Sequence, residues 1–323
     1  MEMSQEITHK WDPLTDGLSV SGLQLWLQDR FAFRARYCEG WEPVEPWSKK
    51  LAYGSLVQAG IEGFIKTEHQ LKGALRFIQQ ACSKEIDKYS LSEEITWWSK
   101  LACHQVSVFV DFYGDDLTKL NESERHVSAT ITLPSERKIK LHGYLDGEGD
   151  GILFENKVRG YWDTEVLANN LPLDLQYNYY CLLLREEGRL PNTVWYQTCR
   201  RATEWGYRGP RRKKRETSEE FLDRVTTHMS ANPEYYFHRF MGKPTADDIE
   251  LFCQVVLTPM LEAFMDWYEH QLKTQLGIEA LNKTDWMTPY GLYNPFVEGT
   301  IEKYRNYRLT GNTSGLVQRQ RQR

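Results

Sequence analysis

Apolar residues recur at helical spacing through most of the N-terminal third of the chain. The segment LQLWLQDRFAFRARY predicts a helix, with Ser19 or Ser21 as its cap. The proline-containing stretch EGWEPVEPW predicts a loop. Further helical patterns cover residues 51–82 and the segment EEITWWSKLACHQVSVFV. We therefore expect this third of the chain to be mainly helical.

The pattern then changes to alternating apolar and polar positions. ATITL and KIKLHGYLDG alternate as half-buried strands do, GEGDG is typical of a turn, and GILFENKVRG predicts another strand. We expect the strands on either side of GEGDG to form a hairpin. Asn170 and Pro172 mark the start of a helix, LPLDLQYNYYCLLLREEG, which Gly188 closes. NTVWYQTCR predicts a further strand.

The C-terminal part of the chain continues this mixture of elements. Thr217 opens a capping box, TSEE, and EYYFHRFMG predicts a strand. A long amphipathic helix is predicted from Thr245 or Asp247 to about Gln271, with a kink near Pro259. This order of elements predicts an α/β (α+β) fold.

We place these elements in a single domain. Its boundaries are residues 17–310, with a helical part (17–115), a core (125–200), and a basic loop with a helical addition (200–310). Residues 311–323, which end in QRQRQR, are expected to form a disordered tail.

Composition and charge narrow the class of protein. The formal net charge is -5, so a polyanionic partner would have to bind a local basic patch. No apolar window is long enough to cross a membrane and no secretory signal is visible, so we expect a cytoplasmic protein without membrane contact. The 6 cysteines are scattered and form no CxxC pair, which argues against a zinc ribbon or a disulfide framework.

A concentrated basic segment follows the strand NTVWYQTCR. Its cations are interleaved with Trp205 and Tyr207. Because Lys and Arg bind phosphates and aromatic rings stack on unpaired bases, the segment predicts a nucleic-acid-binding loop, and a solvated loop is the alternative. The predicted binding residues are Arg200, Arg201, Arg208, Arg211, Arg212, Lys213, Lys214 and Arg215.

Charged residues also interrupt the apolar strand GILFENKV. Glu155 and Lys157 share one face of it, and Asp146 ends the preceding strand. Two carboxylates near a lysine favour a divalent cation such as Mg²⁺, which prefers oxygen ligands; an ordinary charged surface hairpin is the alternative. A symmetric turn through GEGD would leave Asp146 too far from Glu155, so we expect a bend or bulge there. His142 points to the side of Asp146 and is a candidate supporting group, or simply a packed residue.

Gln176 and Tyr180 lie four residues apart on one face of the following helix. With GYLD, ENK and QYNYY in this order, the sequence resembles the PD-(D/E)XK nuclease superfamily. The resemblance is to its RecB-like and Cas4-like exonuclease branch, which shows G-x-x-D, E-x-K and Q-x-x-x-Y. SVSGLQLWLQDRFAFRARY and GSLVQAGIE resemble the opening S-x-S-x-L and G-x-x-x-H-x-x-x-E helices of that branch. The resemblance covers roughly residues 18–200.

The resemblance implies a restriction-endonuclease-like core, in which helices flank a central mixed β-sheet, and a metal-dependent site. Asp146 and Glu155, with the backbone carbonyl of Asn156, would ligate Mg²⁺ or Mn²⁺. Lys157 would position the attacking water. The next helix would use its Gln-x-x-x-Tyr pair, Gln176 and Tyr180, to hold the DNA backbone or support the site.

The chain departs from the branch in two ways. Gln58 occupies the place of the usual His, and Glu62 matches the acid of that helix. Both are candidate further ligands, although a neutral amide oxygen ligates a hard cation only weakly. The iron–sulfur members carry three cysteines near the C-terminus, whereas here only Cys253 lies in the C-terminal third. No iron–sulfur cluster is therefore expected.

Together these features predict a Mg²⁺- or Mn²⁺-dependent deoxyribonuclease, acting as an exonuclease in DNA replication, recombination or repair. The size of the chain resembles that of phage-type stand-alone nucleases, which work in the host cytoplasm. Two alternatives stay open: a structure- or sequence-specific endonuclease, and a catalytically weak, DNA-binding protein with a nuclease fold. A homo-oligomer and an unknown partner protein also stay open.

Overall fold

The structure is a computed structural model of the chain. It describes residues 11–43, 48–160, 162–201, 213, 215–269, 303, 307 and 311–318. These residues divide into two compact units. The first lies within Met1–Pro46, Ser128–Gly143 and Glu250–Arg323, and the second within Trp47–Val127 and Tyr144–Ile249. The boundaries of a single domain stay a prediction.

The described chain contains runs of helices, as in residues 49–117, and runs of strands, as in residues 125–159, which gives the mixed α/β fold that the sequence predicted. The described helices are α1 (Val20–Gln28), α2 (Arg30–Phe33), α3 (Lys49–Lys66), α4 (Leu71–Tyr89), α5 (Ser92–Leu117), α6 (Thr164–Asn170), α7 (Leu175–Glu186), α8 (Ser218–Ala231), α9 (Pro233–Tyr236), α10 (Ala246–Phe252) and α11 (Thr258–Trp267). The described strands are β1 (Leu18–Ser19), β2 (Trp41–Pro43), β3 (Arg125–Thr132), β4 (Lys138–Leu145), β5 (Gly147–Gly149), β6 (Ile152–Arg159), β7 (Thr193–Arg200), β8 (Phe237–Gly242) and β9 (Leu316–Gln318).

The N-terminal helical predictions are confirmed in outline. Ser19 caps α1, because its hydroxyl accepts a hydrogen bond from the Gly22 N–H at 3.1 Å. The predicted single helix is interrupted at Asp29, whose extended backbone and side chain cap α2 instead. The helical region predicted over residues 51–82 likewise divides into α3 and α4. Glu68 and His69 lie between these helices at positive φ, which an α-helix does not allow.

In the second unit, β5, β6, β7 and β8 form a four-stranded sheet in that order. β6 and β7 are parallel and are connected through α6 and α7, whereas the two outer strands pair antiparallel to their neighbours. Phe154 and Trp195 of this sheet join one buried apolar cluster with residues of α3, α4 and α5. The helices therefore anchor β6, which carries the Glu-x-Lys motif.

The predicted hairpin between KIKLHGYLDG and GILFENKVRG is wrong. β4 belongs to a three-stranded sheet with β1 and β3, and the short strand β5 is the hairpin partner of β6. Asp150 and Gly151 form the turn, with φ values of 50° and 74°. A two-residue turn with both φ positive matches the twist of a hairpin, and Asp-Gly is a favoured sequence for it.

The elements after β7 follow the prediction with two changes. α9 covers the first three residues of the predicted strand EYYFHRFMG, so β8 begins only at Phe237. Thr217 and Glu220 form the predicted capping box of α8. Thr245 caps α10, since its hydroxyl accepts a hydrogen bond from the Asp248 N–H at 3.1 Å. The predicted long helix passes through a π-helical turn between α10 and α11, and Pro259 lies in the first turn of α11. Its predicted end at Gln271 lies outside the described residues.

The C-terminal segment differs from the expected disorder in the part that the structure describes. β9 pairs antiparallel with β2, with Leu316 opposite Pro43. Leu316 also packs against Ala32 and Ala35, so burial of an apolar side chain stabilises this strand. Residues 319–323 lie outside the described part. Among the described helices, none is long and apolar enough to cross a membrane.

Candidate active site

Asp146 immediately precedes the short strand β5 and lies beside β6. Gly147 lies opposite Phe154 in this hairpin, so continuing the register places Asp146 opposite Glu155. The Asn156 N–H donates a hydrogen bond to Asp146 Oδ2 at 2.8 Å. The turn therefore lies later in the chain than a symmetric GEGD turn would. The expected bend is present at Asp146, where the chain passes from β4 to β5, and no bulge is needed for Asp146 to reach the motif.

Asp146 also determines the environment of the Asn156 backbone. β5 pairs with β6 only as far as Phe154, so Asn156 lies on an edge of β6 beyond the end of β5. The N–H and C=O of one strand residue point to the same side. Because the Asn156 N–H points to Asp146, its carbonyl faces the same edge and is available as a ligand there.

Glu155 is the most deeply buried group of the cluster, with 1% exposure. Its Oε2 lies 3.0 Å from Lys157 Nζ and accepts a hydrogen bond from Gln176 Nε2 at 2.9 Å. Its Oε1 is also buried and has no hydrogen-bond partner among the described residues. A buried carboxylate oxygen without a partner is costly, so this atom fits a cation ligand.

The two carboxylates are electrostatically strained. Asp146 retains some solvent contact, but desolvation raises the pKa of its carboxyl above the ordinary value. Burial, and then the charge of Asp146, raise the pKa of Glu155 to about 8. Burial opposes the charge of Lys157, yet Glu155 and Asp146 raise its pKa above the ordinary value. One lysine therefore does not neutralise both carboxylates.

The first turn of α7 brings the Gln-x-x-x-Tyr pair to Glu155. Asp174 caps the helix by accepting a hydrogen bond from the Tyr177 N–H at 2.8 Å. Gln176 then contacts Glu155, and Tyr180 lies one turn further along, buried in the same site. Burial, followed by the charges of Glu155 and Asp146, raises the pKa of the Tyr180 hydroxyl. The geometry supports an orienting role for Gln176.

The helix α3 contributes Gln58 and Glu62 near the same cluster. Gln58 Oε1 accepts a hydrogen bond from Asn156 Nδ2 at 3.1 Å, and Asn156 Oδ1 accepts one from the Cys199 thiol at 3.3 Å. Glu62 forms an ion pair with Lys66, with 2.6 Å between Oε1 and Nζ. Gln58 therefore holds the Asn156 side chain, and ligation by Gln58 or Glu62 stays a prediction.

Glu124 is a neighbour of the site that the sequence patterns missed. It has a φ of 53°, and the adjacent Glu122 pairs with Glu148 of β5 through two backbone hydrogen bonds. Burial, and then the charges of Asp146 and Glu62, raise the pKa of the Glu124 carboxyl. No periodicity marks this residue, because its position depends on a segment that pairs with β5.

The predicted basic loop is described only at its ends. Arg200 ends β7, Arg201 follows it, and Lys213 and Arg215 are exposed on the far side. His142 lies in β4 opposite Ser19, and its supporting role stays a prediction. The remaining predicted binding residues lie outside the described part of the chain: Arg208, Arg211, Arg212 and Lys214.

The donor set fits a hard divalent cation. In the described part of the chain, no three His, Cys, Asp or Glu side chains gather closely enough to hold a metal by themselves. Asp146, Glu155 and the Asn156 carbonyl would therefore hold the ion together with water, as Mg²⁺ sites commonly do. The partnerless Glu155 Oε1 is the observation that favours this fit.

A comparison with protein families identifies the family of the chain. The family model of the PD-(D/E)XK nuclease superfamily matches residues 17–256, which is most of the chain. The chain belongs to the PD-(D/E)XK nuclease superfamily. The mixed α/β fold is consistent with the restriction-endonuclease-like fold of that family, and membership supports a metal-dependent nuclease. No curated protein matches the chain.

Proposed function

We propose that this protein is a Mg²⁺- or Mn²⁺-dependent deoxyribonuclease, and that it is an exonuclease of the RecB-like branch. The observation that carries the proposal is the approach of Asp146 to β6, where it accepts the Asn156 N–H beside the buried Glu155 and Lys157. This arrangement gathers two carboxylates, a backbone carbonyl and a lysine at one strand edge. Its setting would be DNA replication, recombination or repair.

The residues of the site have separate roles in this proposal. Asp146, Glu155 and the Asn156 carbonyl would hold the divalent ion, which would act as a Lewis acid and lower the pKa of water. Without a metal ion, Glu155 and Asp146 raise the pKa of Lys157. In the proposed site, Lys157 would position the attacking water and face the phosphate oxygens. Gln176 would keep Glu155 in place through its hydrogen bond.

Digestion of end-labelled linear DNA beside covalently closed circular DNA, each with Mg²⁺ or Mn²⁺, tests the proposal. An exonuclease shortens the linear substrate from its end and leaves the circle intact. Cutting of the circle would instead favour a structure- or sequence-specific endonuclease. Binding without cleavage of either substrate would favour a catalytically weak DNA-binding protein.

A further inference from the structure

The carboxyl ends of the parallel strands β6 and β7 carry arginines next to the candidate active site. Arg159 pairs in register with Arg200, and Lys157 pairs with Thr198. Because side chains alternate along a strand, Arg159 lies on the same face as Lys157 and Glu155. Two residues along a strand span about 6.6 Å, so the backbone of Arg159 lies about that far beyond the backbone of Lys157 along β6.

Arg159 uses little of its hydrogen-bonding capacity in the described part of the chain. Its Nη2 donates a hydrogen bond to the Tyr196 hydroxyl at 2.7 Å. Burial raises the pKa of Tyr196, whereas Arg159 and, less strongly, Lys157 lower it, which places this hydroxyl in the field of both cations. A guanidinium has five N–H donors, so several remain for a ligand.

The Arg200 side chain contacts two aromatic rings and a backbone carbonyl. Its guanidinium carbon lies 4.2 Å from the centroid of the Trp162 ring and 4.4 Å from that of Tyr235. Its Nε donates a hydrogen bond to the Tyr235 carbonyl at 3.0 Å. These cation–π contacts restrain the guanidinium, and its terminal nitrogens make no hydrogen bond to another residue of the described chain.

These two arginines lack the carboxylate partners that other arginines of the same unit have. Neither lies within ion-pair distance of a carboxylate of the described residues. In contrast, Arg125 contacts three glutamates and Arg189 contacts two. The positive charge of Lys157 is itself held by Glu155. Arg159 and Arg200 therefore supply positive charge that an incoming anion can use.

We propose that Arg159 and Arg200 bind the phosphate adjacent to the scissile phosphate, so that the cleaved strand runs along β6 from Glu155 toward Arg159. This inference rests on the proposed nuclease function. Bidentate contact with a guanidinium matches the geometry of a phosphate. The subsite would hold the substrate strand in register with Lys157.

Affinity for DNA carrying one neutral methylphosphonate tests this subsite. The neutral linkage is placed on either side of the first cleaved linkage, and binding is measured with Ca²⁺ after a gel confirms that the DNA is intact. In the native protein, one of the two placements should weaken binding on the order of tenfold. Arg159→Ala should weaken binding to unmodified DNA by a similar factor and lower the salt slope by about 0.9.

A matched control variant, and the combination of the neutral linkage with Arg159→Ala, decide whether the subsite exists. Arg189→Ala removes the same charge from the opposite end of β6's hairpin and should bind as the native protein does. In Arg159→Ala, the methylphosphonate placement that weakens binding to the native protein should cause no further loss of affinity. Arg159→Lys should restore part of the affinity that Arg159→Ala loses. Equal effects of Arg159→Ala and Arg189→Ala, or undiminished sensitivity to the neutral linkage in Arg159→Ala, would overturn the subsite. Absence of Mg²⁺- or Mn²⁺-dependent cleavage by the native protein would overturn the proposed function instead.

Discussion

Two charged clusters lie at the same short hairpin, β5–β6, and they are built differently. The outer cluster joins Glu148 and Glu187 to Arg125 and Arg189 through ion pairs of 2.5 to 3.1 Å. These two carboxylates have two guanidinium partners, and Arg125 also lies 3.6 Å from the exposed Glu122. Burial alone would raise the pKa of Glu187, but Arg189 and Arg125 lower it below the ordinary value.

The inner cluster has two carboxylates, Asp146 and Glu155, and one cation, Lys157. The pKa values of the two carboxyl groups are raised rather than lowered. Glu155 Oε1 also has no hydrogen-bond partner in the described chain. Paired charge of the outer kind connects segments of the fold. In the inner cluster, the desolvated negative charge exceeds the positive charge, which is unfavourable unless a cation binds. Groups with such shifted pKa values are typical of catalytic sites.

The largest expected difference between the clusters is in cleavage. Asp146→Asn should lower the rate of metal-dependent DNA cleavage by roughly 10³-fold or more, because it removes a ligand charge from the reaction site. Arg189→Ala should leave the rate near that of the native protein. A time course with end-labelled DNA measures both. Equal losses in the two variants would show that the clusters do not differ in function.

A smaller effect should appear in thermal unfolding with a divalent ion. Mg²⁺ or Mn²⁺ at about one hundred times its Kd should stabilise the native protein by about 2.7 kcal/mol. Asp146→Asn should lose most of that gain, whereas Arg189→Ala should keep it. Calorimetry with and without the ion gives the shift in Tm. A gain in Asp146→Asn as large as in the native protein would contradict metal binding at the inner cluster.

The inner cluster should also produce a pH dependence of stability without metal. The pKa of Glu155 is raised from 4.5 to about 8 in the folded protein, so the folded state holds more protons between these values. The free energy of unfolding should therefore fall as the pH rises through this window, by at most about 1.4 kcal/mol per pH unit. Glu155→Gln should reduce this slope and leave only the part that Asp146 contributes. Urea unfolding in EDTA across the window compares the two proteins, and parallel curves would exclude the effect.

The smallest effect is expected at the outer cluster. Arg189 is half exposed, so Arg189→Ala should lower the free energy of unfolding by no more than about 1 kcal/mol. Chemical unfolding measures this difference. A loss of several kcal/mol would mean that the outer cluster is more than a set of surface ion pairs.

The sequence predicted the members of the inner cluster better than the way they meet. Alternation in GILFENKV correctly predicted a strand with Glu155 and Lys157 on one face, and helical spacing correctly placed Gln176 and Tyr180 on α7. The predicted hairpin was wrong because Asp150 and Gly151 were treated as part of a longer turn, GEGDG, although these two residues form the turn by themselves. Placing the turn there makes Asp146 the register partner of Glu155.

Other features depend on contacts between distant segments and could not be predicted from local patterns. Gln58 contacts Asn156 across 98 positions of the chain, so its hydrogen bond required the packing of α3 on β6. Glu124 reaches the cluster through a segment that pairs with β5. Arg159, in contrast, follows Lys157 by two positions on the same strand face, so alternation could have identified it.

The most direct test of the central claim is the single-turnover rate of DNA cleavage with Mg²⁺ or Mn²⁺ in Lys157→Ala. Lys100→Ala, on an exposed position of α5, is the matched control. If Asp146, Glu155 and Lys157 form the active site, Lys157→Ala should fold as the native protein does but lose cleavage, while Lys100→Ala keeps it. Cleavage by a folded Lys157→Ala at the native rate would contradict the assignment.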